Sequence, residues 1–173
     1  MKKLILISAL LLFASNGWAY NEIDLGRTKS LATFKGPYDD ETVQQRDARM
    51  AWWREARFGL FIHWGVYAVP AGTYKGEQIS NIGEWIMHYG QIPVAEYQQY
   101  AKQFNPVKYN PEDWVRMAKD AGMKYIVITA KHHDGFALFD TAVSDWDIVE
   151  ATPYGKDVLK PLAEAAQKHG IKL

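Results

Sequence analysis

The chain has 173 residues, 48% apolar and 23% charged, a length and balance suited to one globular domain and not to a disordered segment. Its 20 Lys and Arg equal its 20 Asp and Glu, leaving no excess charge to hold a phosphate backbone, so dedicated nucleic-acid binding is not expected. With no Cys, disulfide scaffolds, zinc–thiolate sites and thiol nucleophiles are excluded.

Met1-Lys2-Lys3 is a short basic segment, and Leu4 to Ala14 is an apolar run broken only by Ser8. Gly17 and Ala19 then supply the small residues that a signal peptidase reads. An apolar run of about eleven residues is too short for the roughly 20 that span a bilayer, so residues 1–19 are expected to be a cleaved signal peptide and not an anchor. The mature protein is then periplasmic or secreted, with no membrane attachment. Tyr20 to Asp40 is polar and aperiodic, with Gly26, Gly36 and Pro37, and is expected to be an N-terminal arm.

Residues 41–173 carry the periodic elements. Val43, Met50 and Trp53 are spaced by 7 and 3 and predict a helix over 41–56, with Trp52 and Trp53 in the core. Arg57-Phe58-Gly59-Leu60-Phe61-Ile62-His63-Trp64-Gly65 has a short continuous apolar core, as in a strand buried on both faces. Val66 to Gly83 carries Pro70, Gly72, Gly76 and Gly83 and predicts a long loop, of a length usually kept for function.

Glu84 to Phe104 predicts one or two helices, broken near Gly90 and Pro93. Asn110-Pro111 opens another, with Trp114, Val115, Ala118 and Ala121 as its apolar stripe and Gly122 as its stop. Lys124 to Ala130 is the clearest strand, rich in β-branched residues. An irregular segment runs to Gly155, a helix from about Asp157 to His169 ends at Gly170, and Ile171-Lys172-Leu173 starts a third strand. Strands alternating with helices predict an α/β fold with consecutive β/α units and a parallel sheet.

In such folds functional residues gather at the carboxyl ends of the strands. The first strand ends in His63 and the second in His132 and His133. A neutral imidazole both donates and accepts hydrogen bonds, which suits it to ligand hydroxyl groups. Trp64, Trp85 and Phe136 lie close by in the sequence and offer faces for the apolar patches of a sugar. The same histidines, with Asp134, could instead hold zinc. Adjacent histidines point to opposite sides of an extended strand, so that reading requires the backbone to turn at His132-His133. Asp134-Gly135 is first a turn signal and only second a catalytic acid. Glu84 has a plain reading as a helix-start acid, Glu112, Asp113 and Asp157 as capping residues, and His88 and His169 carry no assigned function.

The segment Trp52-Trp53-x-x-x-Arg57-Phe58-Gly59-Leu60-Phe61-Ile62-His63-Trp64-Gly65 resembles the opening barrel strand of the α-L-fucosidases of glycoside hydrolase family 29. The resemblance continues through Glu84-Trp85, Phe104-Asn105-Pro106, Ala118 to Tyr125 and Lys131-His132-His133-Asp134-Gly135-Phe136, and so runs from about Trp52 to Leu173. It implies the N-terminal part of a (β/α)8 TIM-like barrel, truncated after about two to three strands, since a complete barrel takes about 250 residues. It further implies retaining hydrolysis of terminal α-L-fucosyl residues from glycans, with a fucosylated oligosaccharide or glycoconjugate as substrate and neither cofactor nor metal.

By that resemblance His63, Glu84, Trp85, His132 and His133 are fucose-binding residues. Ile86 departs from the Tyr that often follows Glu-Trp in the family. The family's nucleophilic Asp and its acid/base residue are expected beyond Leu173, so the chain alone is expected to be inactive, with an unpaired sheet edge. A non-catalytic fucose-binding module and a metal-dependent TIM-barrel hydrolase are the alternatives.

Overall fold

A computed structural model describes residues 36–173. The expected signal peptide, 1–19, and residues 20–35 of the expected arm lie outside the described residues. The chain divides into two compact units, 1–46 and 47–173. In the first, residues 36–42 form turns that lead into a reciprocal cap: Thr42 N–H donates to Gln45 Oε1 (2.8 Å) and Gln45 N–H to Thr42 Oγ1 (3.2 Å). This cap opens helix α1 (Val43–Ala56).

Helix α1 forms where its periodicity predicts it, but none of its residues is buried. Trp52 and Trp53 are therefore not core, contrary to expectation: they are 38% and 47% exposed. Gln44, Gln45, Arg46, Asp47, Arg49 and Arg54 spread around the helix and leave no continuous apolar stripe. Trp52 instead meets Tyr125 edge-on, ring centroids 6.3 Å apart, and carries the Lys172 ammonium 4.9 Å above its ring.

The site is organised by strands β1 (Gly59–Ile62) and β4 (Tyr125–Ile128), which pair in parallel with Leu60 opposite Ile126 and Ile62 opposite Ile128. Between them lie a short antiparallel hairpin, β2 (Thr73–Tyr74) and β3 (Glu77–Gln78), and helices α2 (Ile86–Tyr89), α3 (Val94–Tyr97) and α4 (Pro111–Asp120). Helix α5 (Leu159–His169) follows β4, and Lys172 then bridges to Tyr125 in parallel, where the third strand is expected to begin. Consecutive β/α units with a parallel sheet are thus observed. Among the described residues the strands do not close a barrel.

Helices α4 and α5 cover one face of the sheet. Val115, Ala118, Leu162 and Ala166 pack there with Ile126, Leu60 and Ile62. The other face carries Phe61 (59% exposed) and Val127 (36%), so β1 is not buried on both faces as expected. Side chains alternate across a strand, and no layer of described residues covers that side. A second cluster, including Val66, Ile86, Tyr97, Phe104, Phe136 and Leu138, lies under the loops that follow the strands.

The helix boundaries follow local chemistry. Asn110 Oδ1 accepts from the amides of Glu112 (3.1 Å) and Asp113 (3.3 Å), and Pro111 occupies the first helical position, where no N–H is needed. Gly122 adopts φ +83° and Gly170 φ +71°, and each is followed by an amide that reaches back to close the last turn: Met123 to Ala118 (3.0 Å) and Ile171 to Ala166 (2.9 Å). The α4 stripe holds at Val115 and Ala118, whereas Ala121 is exposed at the cap. Asn110→Ala is expected to cost about 1 kcal/mol, read as a lower urea midpoint at unchanged slope.

The predicted loop 66–83 is partly regular. A 3-10 turn (Val66–Ala68) precedes the hairpin, whose two-residue turn places Lys75 at φ +50° and Gly76 at φ +84°. Two positive φ values match the twist of a tight hairpin, and Gly76 was its one sequence cue.

Glu112 does more than begin α4. Its carboxylate accepts from Lys168 Nζ (2.9 Å) and His169 Nε2 (2.7 Å) in the last turn of α5. The Lys168 hydrogen bond, then that of His169, holds its pKa below the usual carboxylate value. A lowered folded-state pKa adds stability above the unfolded value that is lost as pH falls through the folded one. Glu112→Gln is therefore expected to be less stable than the parent at neutral pH and to converge with it on acidification below the ordinary carboxylate range, followed by thermal melts.

Candidate functional site

His63 lies one residue past β1, and the in-register pairing carries β4 to the same rim. Thr129 N–H donates to Ile62 C=O at 3.1 Å, one rung beyond the named strands. The chain then folds back, with Leu138 N–H on Ala130 C=O (2.8 Å) and Lys131 bridged antiparallel to Ala137. Residues 132–136 form the tip of this return. Gly135 N–H donates to His132 C=O at 3.0 Å, and Gly135 takes φ +80° at the close of the turn.

The turn puts both histidines on one side, their ring centroids 4.5 Å apart. His63 approaches His132 edge-on at 5.6 Å. From the 3-10 turn Gly83–Trp85, the Trp85 ring stacks on His133 at 3.7 Å and 26°, while Glu84 C=O accepts from His133 Nε2 at 2.9 Å. The Glu84 carboxylate lies 3.9 Å from His63 Nε2. All five residues expected to bind ligand, His63, Glu84, Trp85, His132 and His133, are thus assembled at one rim from three separate segments.

The backbone turn meets the condition set for a shared metal. Even so, among the described residues no group of three His, Asp or Glu is arranged to hold one. His132 has its pKa lowered, first by burial and then by its neighbour His133, against the opposing pull of Asp134. Burial and His133 both favour the neutral imidazole, the form with one donor and one acceptor nitrogen. Its Nδ1 is buried and has no hydrogen-bond partner among the described residues.

Of the three aromatics expected to face a sugar, Phe136 is core and Trp64 is half-buried against that core. Phe136 is 2% exposed and packs edge-on against Phe104 and Trp146. Trp64 packs among Phe104, Tyr109 and Trp114, with centroids 5.1–5.5 Å away. Trp64 lies on the strand face opposite His63, and the turn at Gly135 folds Phe136 inward, so adjacency in sequence does not place them with the histidines. Trp85 alone of the three remains open, at 37% exposure.

Phe61, two residues before His63 and on the same face, stacks on the His63 ring at 4.8 Å and 28°. The period-2 rule could have found this apolar wall. Asp134 follows the turn reading: its Oδ2 accepts from the Tyr97 hydroxyl (2.7 Å) and its Oδ1 from Phe136 N–H (3.1 Å). Burial, with Asp134 beside it, raises the Tyr97 pKa, so the phenol remains a neutral donor. His88 is exposed, its ring edge-on to Trp85 at 5.9 Å.

Three imidazoles, one carboxylate and the apolar Phe61 and Trp85 rings make a surface for a polyhydroxylated ligand with an apolar patch. A hollow of about 580 Å³, lined by Trp52, Gln167, Gly170 and Leu173, lies instead toward the amino ends of the strands.

Comparison with known proteins agrees with the motifs. The sequence profile of the α-L-fucosidase family matches residues 28–173. The chain is 40% identical to tissue alpha-L-fucosidase of Rattus norvegicus over 129 residues, which cover 70% of this chain and 28% of the rat protein. It is 35% identical over 136 residues to human plasma alpha-L-fucosidase, covering 73% of this chain and 29% of that one. The unliganded alpha-L-fucosidase AlfC from Lactobacillus casei superposes with a TM-score of 0.70 at 44% identity, over 73% of this chain and 38% of its own. This chain therefore spans under a third of the curated relatives it matches. It belongs to the α-L-fucosidase family, glycoside hydrolase family 29.

Proposed function

We propose that this chain supplies the fucose-binding part of a retaining α-L-fucosidase, which removes terminal α-L-fucosyl residues from glycans. One observation carries the reading: in a chain of this family, His63, Glu84, Trp85, His132 and His133 converge at the carboxyl ends of parallel β1 and β4. Within it, the imidazoles and Glu84 bind ring hydroxyls, and such bonds can strengthen as an oxocarbenium-like transition state forms. The sheet with its one-sided helices is read as the N-terminal part of a (β/α)8 barrel spanning residues 41–173. A single-residue mutant of AlfC is known in complex with Fuca(1,6)GlcNAc and with 4-nitrophenyl-a-L-fucopyranoside, which supports a fucoside as the ligand here.

Retention requires two carboxyl groups about 5–5.5 Å apart. Asp134 is committed to Tyr97 and Phe136, and Glu84 sits beside His63, so we assign both to organising and binding and neither to nucleophilic attack. The decisive test titrates L-fucose into the intact protein, as its gene encodes it, while following tryptophan fluorescence. Saturable binding that D-mannose does not reproduce is expected; equal response to both sugars, or to neither, sinks the reading.

For residues 1–19 we propose export to the periplasm or medium, motivated by the basic start, the apolar run and Ala19. The mature chain should begin at Tyr20, and N-terminal sequencing of exported material that shows Met1 would overturn this.

A further inference from the structure

Thr129 occupies the last rung between the two strands that deliver the histidines. Its Oγ1 has three partners: Trp64 N–H (3.1 Å), Trp64 C=O (3.1 Å) and the Tyr67 hydroxyl (3.2 Å). A threonine hydroxyl has one hydrogen and two lone pairs. Because the carbonyl can only accept and the amide only donate, Oγ1 donates to Trp64 C=O and accepts from Trp64 N–H. The remaining lone pair must then accept from Tyr67, so all three capacities are filled and every hydrogen has an assigned direction.

This one hydroxyl takes the place of a backbone partner. The β1–β4 ladder runs through the Thr129 N–H···Ile62 C=O bond, and Oγ1 then holds both backbone groups of Trp64. His63 is thereby fixed between a ladder residue and a clamped one. On the other strand, His132 lies three residues beyond Thr129, and the Tyr67 ring stands edge-on to it at 5.5 Å. Tyr67 is only 6% exposed, so its hydroxyl has little access to water as a substitute partner. Burial raises its pKa, in keeping with a donor that stays protonated.

We propose that Thr129, acting with Tyr67, is a positioning residue that sets the His63–His132 spacing on which ligand binding depends. It touches no ligand itself. This inference rests on the reading of the histidine cluster as a fucose-binding site. Small misplacements of binding groups are costly, because the ligand's hydroxyls are met only at defined positions.

The experiment uses the intact protein with Thr129→Val, Thr129→Ser and Tyr67→Phe. NMR measures the through-space proton contacts between the His63, His132 and Tyr67 rings, and calorimetry measures L-fucose binding. Thr129→Val, which keeps the β-branched shape but not the hydroxyl, is expected to lose the ring contacts and weaken L-fucose at least about tenfold. Thr129→Ser, which restores Oγ, should retain the contacts and stay within about threefold. A purely structural role would lower thermal stability while leaving the ring contacts and affinity of folded Thr129→Val unchanged, and that result overturns the proposal.

If Thr129→Val does not fold, Tyr67→Phe decides. Removing one bond of the three, it should shift the His132 ring resonances more than those of His88, and unshifted His132 resonances sink the idea. If the unsubstituted protein fails to bind L-fucose, the functional reading fails, and the positioning role stands or falls on the ring contacts alone.

Discussion

In the intact protein, His133→Ala and His63→Ala are each expected to lower kcat/KM for an aryl α-L-fucoside at least about tenfold, or roughly 1.4 kcal/mol of transition-state binding. The two changes act differently. His133 stacks on Trp85 and holds Glu84 C=O, so its loss also releases the turn that carries Glu84 and Trp85. His63 faces the Glu84 carboxylate and the Phe61 ring, and its loss removes one hydrogen-bonding group while β1 keeps its ladder. His133→Ala should therefore disturb both kcat and KM, and His63→Ala should leave the fold and its melting intact. Steady-state kinetics with the two variants and a thermal melt check this. Unchanged kinetics in both would assign these histidines to structure.

The elements legible from sequence were those dictated by short-range chemistry. Asn110-Pro111 predicts the start of α4 because a side-chain oxygen two and three residues before the first free amides caps them wherever the helix packs. Gly122 and Gly170 predict helix ends because a left-handed residue is costly for any side chain. The strand-end histidines were legible for a similar reason: parallel strands in register bring their carboxyl ends to one rim.

What stayed hidden depended on contacts far apart in the chain. Trp64, Trp85 and Phe136 are equivalent as residue types, yet only packing decides which ring is open, and Phe104 and Trp114, which cover Trp64, lie 40 and 50 residues away. Trp52 and Trp53 show the opposite error. Their size argues for burial, but a helix polar on all sides offers no seam to bury them in. Thr129 looks like an ordinary β-branched strand residue, and nothing local signals that its hydroxyl is saturated by Trp64 and Tyr67.

The same long-range logic gives Asp134 its expected effect. Asp134→Ala should destabilise the protein by about 3 kcal/mol, because a carboxylate-assisted hydrogen bond is worth roughly 1.5–3 kcal/mol and the partner left behind is buried. That partner is the Tyr97 hydroxyl, on a residue 1% exposed; the Phe136 amide loses its acceptor as well. Asp134→Asn keeps a side chain that can still meet both groups, so its cost should be nearer about 1 kcal/mol. The charge has a separate consequence for His132. Asp134 favours the protonated imidazole, against the larger effects of burial and of His133, which favour the neutral form. Removing the carboxylate in Asp134→Asn should therefore depress the His132 pKa further. A histidine with a lowered folded-state pKa costs stability as pH falls through the unfolded value, because the unfolded chain then binds the extra proton more readily. Asp134→Asn should accordingly lose stability more steeply than the parent on acidification through the ordinary histidine range. Urea melts at several pH values, with the His132 ring followed by NMR, read both effects. An Asp134→Ala protein as stable as the parent, with His132 titrating unchanged in Asp134→Asn, would show that the Tyr97–Asp134 contact does not hold the histidine turn.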